Sequence, residues 1–273
     1  MAKLSLVGLG PGSLDLMSIR AQSVIKQADV VVGYAPYVNM VEPLIDGQKL
    51  VKTGMTKEWQ RADSAIQLVQ QGYKVALVCS GDAGMYAMAP LIFELLASQA
   101  INIEVETIPG ITAANACASL VGAPLGHDSC TISLSDLLTP WTVITQRIEA
   151  AAIADFAITF YNPRSKKRQH HIVEAQQILL KHRAVNTPVA VVNAAYRDEQ
   201  SVQLSTLESF TQLEFGMNAA VIVGNSSSFR FDDWIVTPRG YRNKYSLADG
   251  ETRDGQTPGR SLNDIEFPVM SDK

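Results

Sequence analysis

Residues 74–89 read Lys74-Val-Ala-Leu-Val-Cys-Ser-Gly-Asp-Ala-Gly-Met-Tyr-Ala-Met-Ala89. The stretch opens with a continuous apolar run, which is typical of a strand buried on both faces of a parallel sheet. It breaks at Ser80–Gly84 and resumes as a helical pattern that continues through Leu96. Ligands of open α/β sheets bind outside the carboxyl ends of the strands, so Gly81 and Asp82 are candidates for ligand contact. An ordinary strand-to-helix turn would have the same appearance.

Two further glycine-bearing loops follow apolar strands and favour the ligand-binding interpretation. Gly8–Ser13 comes directly after Lys3–Val7, and Pro109–Ala114 comes after Asn102–Ile108. The second loop opens a helix of small residues, whose first backbone N–H groups are accessible to a polar ligand because no bulky side chain covers them. Close packing of that helix on the sheet would explain the small residues equally well.

The first loop matches a dinucleotide-binding turn only in part. Ser13 stands where the third glycine of that fingerprint belongs, and Pro11 stiffens the loop. The second strand ends in Gly33-Tyr34, without the acidic residue that binds the ribose. A nicotinamide-dependent oxidoreductase is therefore a weak alternative.

The composition is that of a globular protein, with 273 residues, 47% hydrophobic and 18% charged. A net charge of −4 argues against partnership with nucleic acid or an anionic membrane surface. The three cysteines have no Cys-x-x-Cys spacing, which argues against a disulfide framework and a metal site. The N-terminal residues enter a strand without a signal-peptide pattern, and no apolar run approaches a membrane span. We expect a reduced, cytoplasmic protein.

The hydrophobic pattern predicts an α/β protein of apolar strands and helices, with a change of character after a linker. Residues 1–122 form the first predicted lobe and residues 127–245 the second, with a linker at Val121–His127. Beyond Tyr245 the chain is rich in Asp, Gly, Thr and Pro, so residues 246–273 are expected to be a poorly ordered tail.

The four histidines do not form a metal-ligand pattern. His170 and His171 are adjacent, so on a helix their side chains point about 100° apart, and we interpret both as solvated helix positions. His182 lies near a helix C-terminus, where a partial positive charge is favourable. His127 lies in the linker within Gly-His-Asp, where a structural hydrogen bond and a functional role are both compatible with the sequence.

A basic cluster follows a predicted strand at Arg164–Arg168, where four of five residues are cations. Cations at a helix start oppose the helix dipole, which suggests a purpose beyond solvation. A solvated loop and a recognition site for an anionic substrate are both compatible with this cluster.

The motifs taken together carry a family resemblance. Gly8–Ser13, Ser80–Tyr86 and Pro109–Ala114 resemble, in this order, the corrin/porphyrin methyltransferases that use S-adenosylmethionine. The later and more specific motifs resemble the branch of cobalamin biosynthesis that methylates C17 of a tetrapyrrole and contracts its ring; they are Gly126–Asp128, Ser133–Trp141, Tyr161–Arg168 and Val236–Tyr241. The resemblance covers residues 3–245, with Ala83 and Ala87 at positions where the wider family often carries Pro and Gly.

The resemblance implies an α/β protein of two lobes, each a mainly parallel or mixed sheet flanked by helices, that works as a homodimer. It also implies that S-adenosylmethionine is folded into the active-site cleft between the lobes. The residues that match the family's cofactor contacts are Pro11, Ser80, Gly81, Asp82, Met85, Thr112 and Ala113 in the first lobe, and Tyr161, Asn162, Ala194, Asn218 and Ala219 in the second. A sulfonium is already a strong electrophile, so methyl transfer requires no metal and no covalent intermediate. It requires the nucleophilic carbon to be held in line with the methyl group.

The substrate that the resemblance implies is a tetrapyrrole with many acetate and propionate side chains. Its expected binding residues are Ser133, Ser135, Arg164 and Lys167. Ring contraction requires a hydroxyl on the bridging carbon to lose its proton, so a general base is expected, with His127 as the candidate and Asp136 as the alternative. Methylation at another tetrapyrrole carbon, or of a macromolecule, remains open. The motifs are compatible with a cobalt-containing and with a metal-free substrate.

Overall fold

The computed structural model of the chain describes residues 1–165 and 168–262. By their contacts these residues divide into two compact units. The N-terminal unit comprises residues 1–120 together with 192–201, and the C-terminal unit comprises residues 121–191 together with the chain from 202 onward. The assignment of residues 192–201 to the N-terminal unit has no counterpart in the predicted lobes, which are continuous in sequence.

The N-terminal unit is built on a five-stranded sheet in the order β3-β2-β4-β1-β5. Its strands are β1 (Lys3–Gly8), β2 (Val30–Tyr34), β3 (Lys49–Thr53), β4 (Lys74–Cys79) and β5 (Val105–Ile108). Its helices are α1 (Ile19–Gln27), α2 (Ala35–Met40), α3 (Glu58–Gln70), α4 (Met88–Ser98) and α5 (Ala113–Ser119). All four strand pairings are parallel, so the carboxyl ends of the five strands lie at one edge.

Both faces of this sheet are buried, which explains the continuous apolar runs in the sequence. Leu77 of β4 packs with α3 and α4 on one face, and its neighbour Val78 packs with α1 and α2 on the other. The prediction of a doubly buried strand at the start of residues 74–89 is therefore confirmed. Ser18 caps α1, because its hydroxyl accepts a hydrogen bond from the Ala21 N–H at 3.1 Å.

The C-terminal unit contains a five-stranded sheet in the order β10-β9-β11-β8-β7 and a three-stranded sheet in the order β12-β13-β6. The strands are β6 (Gly122–Ala123), β7 (Ser129–Ser133), β8 (Ala157–Tyr161), β9 (Pro188–Asn193), β10 (Ser201–Thr206), β11 (Ala219–Val223), β12 (Phe229–Phe231) and β13 (Trp234–Val236), and the helices are α6 (Trp141–Ile153) and α7 (His171–Leu179). The larger sheet is mixed, since β8 pairs parallel with β7 and antiparallel with β11. The α/β fold class with parallel and mixed sheets is confirmed.

The predicted tail, residues 246–273, is described only as far as residue 262, and residues 263–273 lie outside the described part of the chain. Its first residues form a short hydrogen-bonded turn, in which the Ser246 N–H donates to the Glu251 carbonyl at 2.8 Å and the Arg253 N–H donates to the Lys244 carbonyl at 2.9 Å. Within residues 1–165 and 168–262, no helix has the length and hydropathy needed to cross a membrane.

Candidate functional site

Three loops meet at the carboxyl edge of the N-terminal sheet, and glycines allow their close approach. Gly10 and Gly81 exchange two backbone hydrogen bonds, at 3.0 and 2.7 Å, which join the loop after β1 to the loop after β4. A Cβ on Gly8 would lie 2.6 Å from the Gly110 nitrogen, and a Cβ on Gly110 would clash with the Gly81 carbonyl. Gly8 and Gly110 are therefore required by the close approach of the backbone at this place.

Asp82 connects two of these loops by hydrogen bonds. Its Oδ1 accepts a hydrogen bond from the Gly84 N–H at 2.8 Å, and its Oδ2 accepts one from the Gly110 N–H at 3.0 Å. The sequence predicts Asp82 as an acceptor for a ligand, and the structure gives both carboxylate oxygens backbone partners within the protein. The carboxylate therefore sets the geometry of the glycine loops, and its cofactor contact stays a prediction.

The gap beside Gly81 has room for one methyl group. An added Cβ would lie at ordinary van der Waals distance from its neighbours, 3.8 Å from the Ile111 carbonyl oxygen, 3.8 Å from the Ala113 nitrogen and 3.9 Å from the Thr112 Cα. Thr112 caps α5 with its hydroxyl, which accepts from the Asn115 N–H at 3.3 Å and so fixes this wall of the gap. The predicted cofactor residues Gly81, Thr112 and Ala113 are thus brought together around a space bounded by main-chain atoms.

Arg197 is a site residue that the sequence reasoning missed. Its Nε donates to the Pro11 carbonyl at 2.7 Å, and its Nη2 donates to the Ser80 hydroxyl at 2.8 Å. Both acceptors belong to predicted cofactor residues, so a single guanidinium braces the loops after β1 and β4. A Cβ on Gly12 would lie 2.8 Å from the Arg197 side chain, so glycine is also required there. The only sequence signal was an arginine shortly after a buried strand.

The segment that carries Arg197 has an unusual backbone. Ala194 and Tyr196 have φ values of +44° and +59°, a region that non-glycine residues seldom occupy. The Tyr196 hydroxyl contacts the Ser119 hydroxyl at 2.8 Å, which ties the segment to the end of α5. Ala194, a predicted cofactor residue, therefore lies in a strained turn that belongs by its contacts to the N-terminal unit.

The main-chain atoms around this gap suit S-adenosylmethionine in their chemistry. They include an acceptor in the Ile111 carbonyl and an amide nitrogen in Ala113, which suit a ligand with polar edges. Met85, at the turn after Gly81, is 37% exposed and supplies an apolar side chain at the same edge. Among the described residues, no group of three or more His, Cys, Asp or Glu side chains could hold a metal ion.

In the C-terminal unit, predicted cofactor and substrate residues cluster where β7 and β8 end. The Asn162 side chain donates to the Ser133 hydroxyl at 3.0 Å, and the Ser135 N–H donates to the same hydroxyl at 3.3 Å. The Leu134 N–H donates to the Tyr161 carbonyl at 2.9 Å. The structure thus joins the predicted pairs Tyr161–Asn162 and Ser133–Ser135 in one hydrogen-bonded group.

Asn218 and Ala219 reach the same edge because β11 runs antiparallel to β8. Val221 pairs with Phe160, and continuing this register by two residues places Ala219 opposite Asn162. Ala219 is buried, whereas Asn218 is exposed. Asn162 itself has a φ of +51°, which turns the chain sharply at the end of β8.

His171 corrects the sequence interpretation of a solvated helix position, because it is only 3% exposed. Its ring stacks on Trp141 at 3.9 Å between centroids, with 8° between the planes. Its Nδ1 lies 3.1 Å from the Leu134 carbonyl oxygen, and its Nε2 lies 3.7 Å from Oδ2 of Asp136. Helical periodicity did not reveal this burial, since the covering residues come from the distant 134–141 stretch.

The remaining predicted site residues differ in their surroundings. His127 has Nδ1 at 2.7 Å from the Asp128 N–H and 3.3 Å from an Asp128 carboxylate oxygen, so its contacts are with its sequence neighbour.

Arg164 of the basic cluster donates to the Leu213 carbonyl at 2.9 Å and to the Thr211 carbonyl, and its guanidinium lies 4.0 Å from the Phe215 ring centre. Burial lowers the pKa of Arg164. Lys167 lies outside the described residues.

Comparisons with known proteins find relatives along most of this chain. The family model of tetrapyrrole (corrin/porphyrin) methylases matches residues 3–211. A relative from Salmonella typhimurium, a probable cobalt-factor III C(17)-methyltransferase, is 47% identical over 238 residues, which cover 87% of this chain and 99% of the relative. A cobalt-factor III methyltransferase from Priestia megaterium is 49% identical over 253 residues, 91% of this chain, but this chain spans only 47% of its length.

A solved structure has the same fold along nearly the whole described chain. The methyltransferase CobJ superposes with a TM-score of 0.83 and 36% sequence identity, over 87% of this chain and 100% of that protein. The family model covers well over half of the chain, and the glycine loops it spans are those that meet at Gly8, Gly81 and Gly110. This chain therefore belongs to the tetrapyrrole (corrin/porphyrin) methylase family.

Proposed function

We propose that the protein is an S-adenosylmethionine-dependent methyltransferase that methylates precorrin-3B, or its cobalt-containing counterpart, at C17 and contracts the ring to (cobalt-)precorrin-4 in cobalamin biosynthesis. The observation that carries the proposal is the 47% identity to the Salmonella relative across 99% of that relative's length. The family is S-adenosylmethionine-dependent, and the gap beside Gly81 supports the same cofactor here.

S-adenosylmethionine, when bound, supplies an electrophilic methyl group. The chain would hold it through the backbone around Gly81, Thr112 and Ala113, with Pro11 and Ser80 braced by Arg197. Fixed glycine loops suit this task, because in-line transfer depends on placing the two reacting atoms and excluding water rather than on proton chemistry. The family resemblance predicts further cofactor residues in the C-terminal unit, which are Tyr161, Asn162, Asn218 and Ala219.

A tetrapyrrole substrate would be recognised by the hydrogen-bonded group at the ends of β7 and β8. Ser133 and Ser135 present hydroxyls there, and the nearby basic cluster suits acetate and propionate side chains. Within that cluster Arg164 already donates to two carbonyls of its own unit, so Lys167 becomes the better candidate for substrate carboxylates.

Asp136 is favoured over His127 as the proton acceptor for ring contraction. The two side chains are equally exposed, at 35%, so exposure does not separate them, but Asp136 belongs to the same segment as Ser133 and Ser135. The proton of the hydroxyl on the bridging carbon would pass to the carboxylate, while the oxygen's electrons form a carbonyl as the ring bond migrates. We also propose, from the family resemblance, that the protein is a cytoplasmic homodimer acting on a small molecule rather than on nucleic acid or membrane.

The function is tested by incubating the purified protein with methyl-labelled S-adenosylmethionine and, in separate reactions, precorrin-3B and cobalt-factor III. Mass and absorption spectra should show one labelled methyl group and a contracted ring with one of the two substrates. The same comparison assigns the cobalt-containing or the metal-free substrate. Methyl transfer to uroporphyrinogen III alone, or a labelled product with an uncontracted ring, would instead indicate a methyltransferase for another tetrapyrrole carbon.

A further inference from the structure

We infer that His171 is a positioning residue for Asp136 in the proposed reaction, an inference that rests on the proposed function. His171 is the first residue of α7 and is buried, whereas the sequence pattern predicts it on the surface. Its ring contacts Leu134 and Asp136 of the 133–136 segment, which carries the predicted substrate residues. Asp136 and His171 are therefore the pair of groups relevant to proton transfer.

The contacts of His171 determine which nitrogen carries its proton when the ring is neutral. A carbonyl oxygen can only accept, so the 3.1 Å contact with Leu134 requires Nδ1 to be the donor. Nε2 is therefore the nitrogen that gains or loses a proton, and it faces the Asp136 carboxylate at 3.7 Å. A proton on Nε2 would point toward this carboxylate, so the ring favours one orientation of Asp136.

Burial separates the roles of the two partners. The His171 side chain is 4% exposed and the Asp136 side chain is 35% exposed, so only the carboxylate is open to a substrate. Trp141 stacks on the imidazole and prevents it from rotating away, and its own Nε1 donates to Glu174 at 2.8 Å. His171 thus acts through Asp136 and through the Leu134 carbonyl, rather than by direct contact with substrate.

Other charged and titratable groups also face this pair. Arg168 lies with Nε 3.5 Å from Oδ1 of Asp136, and its Nη1 donates to the Leu134 carbonyl at 2.9 Å. His170 meets the His171 ring edge-on at 4.5 Å between centroids. Arg168, in the loop after β8, therefore contacts the same two groups as His171, the Asp136 carboxylate and the Leu134 carbonyl. It should keep part of the 133–136 segment in place when His171 is replaced.

The contact between His171 and Asp136 can be measured without substrate or turnover. Trp141 reports on His171, because an imidazole stacked on an indole alters its fluorescence. Replacing Trp59 and Trp234 by Phe leaves Trp141 as the only tryptophan, so its emission follows the His171 ring. Adding Asp136→Asn removes the charge but keeps the shape, and should change the Trp141 emission because the contact with the ring is weakened. The control His170→Gln tests that the signal does not come from the neighbouring ring.

Two substitutions of His171 separate its two contacts. Asn can replace Nδ1 as the donor to Leu134 but does not reach Asp136, whereas Gln extends an amide toward Asp136. We expect His171→Asn to lower kcat for the contracted product roughly 10- to 100-fold, less than the 10²–10⁴-fold expected for loss of the base itself. The Kd for S-adenosylmethionine should not change, and His171→Gln should recover most of the rate. His182→Gln is the matched control, since it breaks another histidine–carboxylate contact, with Glu149 at 2.5 Å.

Equal Trp141 emission with and without the Asp136 charge would overturn the contact between Asp136 and His171. An unchanged kcat in His171→Asn, or equal losses in the Asn and Gln variants, would overturn the positioning role. If the unaltered protein forms no contracted product, the proposed function is refuted and the catalytic part of the inference falls with it. The fluorescence measurement decides the Asp136–His171 contact in either case, and it remains decisive if a His171 variant fails to fold.

Discussion

Gly81 combines a left-handed backbone with an open space beside its Cα. Its φ is +68°, and an added Cβ would meet nothing nearer than 3.8 Å. Gly81→Ala should therefore cost about 1–2 kcal/mol in backbone strain without a clash, and it should place a methyl group in the gap that we assign to the cofactor. Calorimetry should show S-adenosylmethionine affinity at least roughly tenfold weaker, and Gly81→Val should abolish binding.

The control for Gly81 is Gly47→Ala, because Gly47 has a φ of +84° and nothing within 4 Å of an added Cβ. That variant carries the same kind of strain away from the glycine loops. Equal affinity for S-adenosylmethionine in the two alanine variants would remove Gly81 from the cofactor site.

Arg197 should matter for cofactor binding although it comes from a distant part of the sequence. Lysine keeps the charge but cannot donate at once to the Pro11 carbonyl and the Ser80 hydroxyl, which the guanidinium reaches at 2.7 and 2.8 Å. Loss of one charge-assisted hydrogen bond is worth about 1.5–3 kcal/mol, so Arg197→Lys should weaken S-adenosylmethionine binding roughly tenfold or more. Arg147→Lys on the exposed face of α6 is the matched control and should bind normally. Unchanged binding by Arg197→Lys would show that the two loops hold their positions without it.

At the scale of elements, Glu106 of β5 connects three segments of the N-terminal unit. Its carboxylate accepts hydrogen bonds from Ser5 of β1 at 2.8 Å and from Arg20 of α1 at 2.9 Å, and it forms an ion pair with Lys3 at 2.9 Å. Burial by itself would raise the pKa of Glu106, but the bonds from Lys3, Ser5 and Arg20 outweigh it and lower the pKa to about 2. The charged form is therefore favoured by folding.

A depressed pKa contributes stability above the unfolded value of about 4.3, and that contribution is lost as the pH falls toward 2. The Glu106 side chain is 24% exposed, so solvent screening reduces the contribution to roughly 1–3 kcal/mol. Glu106→Gln should lower the free energy of unfolding by this amount at pH 7 and by progressively less below pH 4.3, as measured by urea denaturation across that range. Glu104→Gln, whose side chain is 55% exposed, should have a smaller effect. A loss of unfolding free energy in Glu106→Gln that is independent of pH would contradict the lowered pKa of Glu106.

The sequence predicted best those elements whose burial follows from their own pattern. β4 is a continuous apolar run that ends at Cys79, directly before the predicted break at Ser80, because both faces of the strand are covered. The edge strand β3 was missed since exposed lysines at positions 49 and 52 interrupt its partly buried residues. β6 and β12 were also missed, because two or three residues carry no periodicity.

The site was predictable where glycine and turn chemistry are local in sequence, and not where distant segments meet. The three glycine motifs identified the loops that cross at Gly8, Gly81 and Gly110. Arg197 and His171 were missed or misread because their partners lie far away in the chain, at residues 11, 80, 134 and 136. The hydrophobic periodicity of a segment contains no information on its contacts with residues distant in the chain.

At the scale of the whole molecule, the N-terminal unit is not a continuous piece of chain. It needs residues 192–201 as well as 1–120. A fragment of residues 1–122 should therefore unfold at lower urea concentration than one in which residues 191–202 are joined to it by a long Gly/Ser linker. Unfolding curves followed by circular dichroism would compare the two. Identical midpoints would mean that the segment adds nothing to the stability of the unit.

The discontinuity also limits how such a protein can recombine with its homologues. A single crossover near residue 120 would exchange residues 1–120 but retain residues 192–201 of the first parent. Arg197 would then contact the loops after β1 and β4 of the other parent. Two crossovers are needed to move the complete unit. Functional chimaeras are therefore expected to inherit residues 11, 80 and 197 from one parent.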